Sequence, residues 1–512
     1  MTTSRRRLLQ AGAATGATLL LSACGSRGSS SGPEPAGPPR QGGTLRVGAP
    51  GTASSITRDP HGTQNNDSDY LILSLIYDTL TVPGKSPNVA PRLATRWEAS
   101  PDLRTWRFEI AEGARFHDGS PVTSADVVWS LRRLRRSASG KSRLPGIDEQ
   151  GIRADGPRAV IVESHYPNSQ MPVQMRLATF VTKDGVTDPA DTPGTGPFKL
   201  DWYRDGNARL VRNDDWYGGA PLLDAIEVRM FDRTEAMANA VFTEEIDLAS
   251  NVGTIPARTA EQRSGIQVVR RPDDTALAVV MRASEGPFAD LRVRDAFRYA
   301  VDRRAMVDRG LSGYGSVGND IMGTGDPLYA REIPQREQDL ERADKLLDEA
   351  GFDRSASYEL KTTDEIPGLN ESAALFAKQM QRVGVKIDVV KQEMSTFLGD
   401  SKGEAPLYTT FWGTNDSTYA SASKLLLSTA SANEAKWRDP DFDEAYRAMI
   451  STSDPEQHRR FNHEMQRIQH ERSGYLVWGI ADGLDIARDT VQDLPTLPGY
   501  GRVLLERTWL SG

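Results

Sequence analysis

The chain has 512 residues, 38% of them hydrophobic and 26% charged, with 62 Lys and Arg against 70 Asp and Glu and a formal net charge of −8. An acidic chain with scattered signs excludes a nucleic-acid partner, which demands a basic stripe. One cysteine, Cys24, excludes an intramolecular disulfide framework.

At the N-terminus, Arg5, Arg6 and Arg7 precede an apolar stretch from Leu8 to Leu21 and the small residues Ser22 and Ala23, which is the layout of a secretory signal. The stretch is shorter than the roughly 20 residues a helix needs to cross a bilayer, so residues 1–23 are expected to be removed. "SRRRLL" at 4–9 resembles a twin-arginine export signal, and "LSAC" at 21–24 resembles the lipoprotein box, which implies acylation of Cys24. The following "GSRGSSSGPEPAGPPRQGG" offers nothing apolar to bury a thiol, so 24–41 is predicted to be a flexible tether carrying the lipidated Cys24. The expected location is the outer face of the cytoplasmic membrane. The rest of the chain is long enough for two or three domains with real cores and has no apolar run long enough to span a membrane.

"GGTLRVGAP" at 42–50 alternates as a strand entering a sheet, and "WRFEI" at 106–110 alternates again before a turn at "HDGSP". In "TSADVVWSLRRLRR", Thr123 and Asp126 form a capping-box pattern, with Val127, Val128, Leu131 and Leu134 on one stripe. Strands are predicted at 158–164, 225–231, 266–271, 276–282 and 386–392, and helices at 235–243, 292–309, 338–350, 371–383 and 455–471. The alternation indicates mixed α/β domains with no internal repeat.

Several short motifs fail on context. "GYGSVG" at 313–318 matches a dinucleotide fingerprint, but a predicted helix precedes it where a strand is required, so a surface loop is expected. "SASK" at 421–424 has an acyl-transfer spacing without its companion motifs. His458, His463 and His470 share one predicted helix and are expected on a solvated face, since "HEMQR" lacks the second histidine of a zinc motif. No nucleophile stands with a base, so the residues suggest a protein that is not an enzyme and uses no cofactor.

The stretch "PRLATRWEASPDLRTWRFEIAEGARFHDGSPVTSADVVWSLRR" at 91–133 resembles the extracytoplasmic solute-binding proteins of ABC importers, in the family of peptide, dipeptide and nickel binders. "GTGPFKL" at 194–200, "VRDAFRYAVDRRAMVDRGLSG" at 293–313, "DLERADKLLDEAGF" at 339–352, "KQMQRVGVKIDV" at 378–389 and "KWRDPDFDEA" at 436–445 follow in family order. The resemblance implies an α/β, two-lobed fold of the type II periplasmic-binding-protein kind with an extra domain inserted in the N-terminal lobe. Lobe I would comprise 42–76, 196–278 and 485–512, the inserted domain 77–195, and lobe II 279–484.

The resemblance further implies ligand capture by lobe closure, delivery to a permease with its ATPase subunits, and a monomer. In peptide-binding members an Asp after a Trp holds the ligand's amine; here three residues after Trp412 stands Asn415, with Asp416 next. Asn lacks full charge, and charge-assisted bonds are roughly twice as strong. Either Asp416 takes the role or the ligand is not a free-amine peptide. Trp412, Gly413, Asn415, Asp416 and Tyr419 are the expected cleft residues of lobe II, and Asn65, Asn66 and Asp69 those of the facing wall. Amides with aromatics would also suit an oligosaccharide, and a peptide-sensing signalling adaptor would carry the same sequence. A nickel or haem ligand fits poorly with few histidines and no cysteine in the folded part.

Overall fold

The computed structural model describes residues 37–512 apart from 65, 85–88, 138–139, 177–178, 367, 415–416 and 500–503. The signal, the lipoprotein box with Cys24 and most of the tether lie outside the described residues.

Strand Thr44–Pro50 buries Leu45, Val47 and Ala49 on one face, as its alternation requires. It runs parallel to Ala225–Phe231, which pairs antiparallel with Asn207–Arg212. That strand returns to Phe198–Arg204 through Asp205 and Gly206, both at positive φ (48° and 79°), the backbone a two-residue hairpin turn demands. Helix Asp67–Ile76 packs on this half of the sheet through Leu71, Leu75 and Ile76.

A separate four-stranded antiparallel sheet is built from Ala94–Ala99, Thr105–Ile110, Ala159–Ser164 and Ile147–Ala154, in that order. Helix Ser124–Arg136 covers it with Val127, Leu131 and Leu134 against Phe108, Val160 and Val162. Its capping box is formed: the Thr123 backbone N–H donates to Asp126 Oδ2 at 2.7 Å.

The expected strands at 266–271 and 276–282 are one 16-residue strand, Ile266–Met281, running antiparallel to Tyr475–Arg488. The pairing breaks between Arg271 and Thr275, where Pro272 removes a donor and Asp273 takes φ 60°, and shifts register again between Leu277 and Ala278. On one side of the break the pair joins Leu248–Ala249 and the Thr44–Pro50 half of the sheet. On the other it joins Leu407–Gly413 and, beyond it, Ser357–Thr362 and Lys386–Lys391. "ALAVVM" is buried on both faces, and the pleat divides it between two cores. Ala276, Ala278 and Val280 pack with Tyr408 and Phe442, whereas Leu277, Val279 and Met281 pack with Phe297, Phe376 and Trp478.

Three expectations change. The helix over 292–309 is two, Leu291–Ala300 and Arg303–Gly310, because Val301 is extended and Asp302 caps the second by accepting from Ala305 N at 2.9 Å. "GYGSVG" contains the strand Gly315–Val317, paired with Gly479–Ala481, rather than being only a surface loop. His458, His463 and His470 are half-buried and held rather than lying free on a solvated face: the Nδ1 atoms of His458 and His470 lie 2.9 and 2.8 Å from the carbonyl oxygens of Met449 and Asn319, and His463 meets Glu332.

Candidate functional site

Strand Leu407–Gly413 ends beside the break in the crossing pair, with Thr275 opposite Gly413 and Ala276 opposite Trp412. Its end is pinned there: Thr414 N donates to Asp274 O at 3.1 Å and Thr414 Oγ1 donates to Asp273 O. The break itself is held by Arg271, whose buried guanidinium donates to Asp274 Oδ1 at 2.6 Å and to both oxygens of Asp485 at 3.0 and 3.1 Å.

Trp412 is half-buried, with the ammonium groups of Lys402 and Lys424 each 4.4 Å from its ring centroid. The two lysines differ in their partners. Lys402 Nζ lies 3.4 Å from Glu434 Oε1, while Glu434 Oε2 accepts from Thr410 Oγ1 at 2.9 Å. Lys424 has no carboxylate within 4.0 Å among the described residues. Burial, with Lys402 and Arg143 nearby, pushes its ammonium down to about 8. Arg143 is presented by the 77–195 segment, where it donates to Gln64 Oε1 at 2.5 Å. Lys424 is therefore within electrostatic reach of that segment.

Gly413 is exposed, and Asn415 and Asp416 lie outside the described residues, as does Asn65. Tyr419 is only 3% exposed. Its ring stacks on Tyr446 with centroids 5.9 Å apart, and its hydroxyl donates to Gln174 Oε1 at 3.2 Å while accepting from Asn168 Nδ2 at 3.5 Å. It thus ties the 168–174 segment to the far half of the sheet. Asn66 and Asp69 are buried together: Asn66 exchanges hydrogen bonds with the Thr52 backbone at 3.1 Å and donates to Asp69 Oδ2 at 3.2 Å. Asp69 Oδ2 also accepts from Thr57 N at 3.0 Å, and burial pushes its carboxyl above the usual range. Asp69 lines a cavity of about 380 Å³ with Tyr203, Thr192 and His117. A larger groove of about 1140 Å³ draws every lining residue from 295–471, so it is not a space between the two halves. Sequence reasoning found Trp412 but missed Lys402, Lys424 and Arg143; Lys424 alone lies in a motif that was weighed, "SASK", and the other two carry no signal.

Residues 88–434 match the family described as bacterial extracellular solute-binding proteins, family 5. The chain belongs to that family. Among family 5 relatives, it is 24% identical over 481 residues to a probable di/tripeptide-binding protein of Pseudomonas aeruginosa, covering 86% of this chain and 90% of the relative. Its fold matches the periplasmic binding protein DppA of Helicobacter pylori in complex with the peptide STSA, at TM-score 0.79 and 20% identity over 92% of this chain and 99% of that one. It also matches AgaA of A. tumefaciens in complex with agropinic acid, at TM-score 0.78 and 21% identity over 92% and 99%. The fold is therefore the two-lobed one of family 5.

Proposed function

We propose that this protein is the cargo-capturing component of an ABC importer, held by a lipid on Cys24 at the outer face of the cytoplasmic membrane and delivering its ligand to a permease. Lobe I is drawn from residues 42–76, 196–278 and 485–512, lobe II from 279–484, and the inserted domain from 77–195. The observation that carries this reading is the crossing pair, a long antiparallel ladder interrupted at Arg271–Thr275 with Trp412 at its edge. Rotation about such a break closes the lobes on a ligand, and ligand affinity for the closed state supplies the driving force.

The cargo is a peptide or a small solute of comparable size. The names of the Pseudomonas relative and the DppA complex support a peptide. A non-peptide solute is the second reading, because the charge gathered at Trp412 is positive, whereas a peptide amine wants a carboxylate there.

Native mass spectrometry of the chain from its native host tests the cargo. A ladder spaced by amino-acid residues means peptides, and one discrete mass or sugar spacing means a non-peptide solute. Small-angle scattering tests closure: the radius should contract at saturating ligand, and an unchanged radius sinks the mechanism.

A further inference from the structure

Around Trp412 the charges do not balance. Lys402 is matched by Glu434 at 3.4 Å, and that carboxylate is already engaged by Thr410. Lys424 contributes a second ammonium 4.4 Å from the same ring, with no carboxylate within 4.0 Å among the described residues and only the more distant Glu434 drawing on it. A half-buried ammonium without a counter-ion is costly, and its charged form is stabilised by any anion that reaches it. Arg143 brings like charge toward Lys424 from the 77–195 segment, on another wall.

From this geometry, and resting on the importer reading above, we propose that Lys424 is the ligand anchor of lobe II and takes a carboxylate. Trp412 offers its ring to the adjoining apolar or planar part of the same ligand. The class is thus a carboxylate-bearing solute, whether the C-terminus or an acidic side chain of a peptide or a small organic acid.

The test uses the full chain purified from its native host, as wild type, Lys424→Gln and Lys424→Arg, each incubated with the low-molecular-mass fraction of the growth medium. Native mass spectrometry reads retained ligand, and the released molecules are weighed before and after methyl esterification. The expected result is a ligand that accepts a methyl ester, is held by wild type and Lys424→Arg, and is lost about tenfold or more by Lys424→Gln, the loss of one charge-assisted bond. A residue-spaced set of masses then identifies peptides, and a single mass a small organic acid. A ligand with no carboxyl group, equal retention by Lys424→Gln, or loss from Lys424→Arg as well overturns the anchor while leaving the importer reading intact. A wild-type chain that retains nothing overturns both.

Discussion

Arg271 and Asp485 meet beside the break in the crossing pair, through Nε to Oδ2 at 3.0 Å and a terminal guanidinium nitrogen to Oδ1 at 3.1 Å, with the Arg271 side chain wholly buried. Asp485 Oδ1 also accepts from Asn251 N at 2.7 Å, so this carboxylate joins both crossing strands to the loop at Asn251. Asp485→Asn leaves the guanidinium with Asp274 as its one remaining carboxylate partner. Breaking a buried pair in this way costs about 3–5 kcal/mol. Denaturant unfolding measures it, and a loss below about 1 kcal/mol would show that the network does not hold the crossing.

Glycine at 318 is required by close approach. A Cβ there would stand 2.3 Å from the carbonyl oxygen of Val477, a backbone atom that cannot swing away. Gly318→Ala is expected to destabilise by about 1–3 kcal/mol, as overpacking does. Thermal melting reads the effect, with Gly351→Ala, which meets nothing within 4 Å but sits at φ 62°, as a comparison for backbone strain alone.

Acid should weaken the fold through two histidines. His61 is fully buried, with Nε2 2.8 Å from Phe180 O and Nδ1 2.8 Å from Arg133, itself paired to Asp59. Burial pushes both His61 and His117 down to about 4. Between about 4 and the unfolded value near 6.5 the unfolded chain binds more protons than the folded one, so stability falls as pH drops through that window. Each group contributes up to roughly 3 kcal/mol by this linkage. Unfolding free energies at pH 7 and pH 4.5 should differ less in His61→Gln than in wild type, and an equal difference would reject the assignment.

Trp412 and Tyr419 should respond differently to truncation. Tyr419→Ala removes a buried ring from between Tyr446 and Gln174, at about 3–5 kcal/mol of stability. Trp412→Ala removes a half-buried ring and should lower ligand retention by about tenfold or more with a smaller loss of stability. Chemical unfolding and native mass spectrometry on the same preparations separate the two, and unchanged retention in Trp412→Ala would remove that residue from the site.

Much of the local structure is readable from neighbours in the chain. The capping box of Thr123 and Asp126, the alternation of Leu45, Val47 and Ala49, and the stripe of Val127, Leu131 and Leu134 are short-range signals, and each reappears in the structure. The break at Val301 was missed because a continuous apolar stripe hides a cap that Asp302 supplies within it. At the candidate site, Trp412 stood out by likeness to its family, while Lys402 and Lys424, at no helix or strand spacing from it, looked like ordinary charged residues.

By itself the sequence determined the α/β class, the kinship with family 5 and most helices and strands, because periodicity and capping act over a turn or two. Tertiary structure decided the rest. It fused two expected strands into one crossing, matched Arg271 with Asp485 across 214 residues, and left Lys424 without the counter-ion that Glu434 provides to Lys402. Which charges are matched depends on burial and on chain segments brought together from far apart, and neither quantity is written in a local pattern.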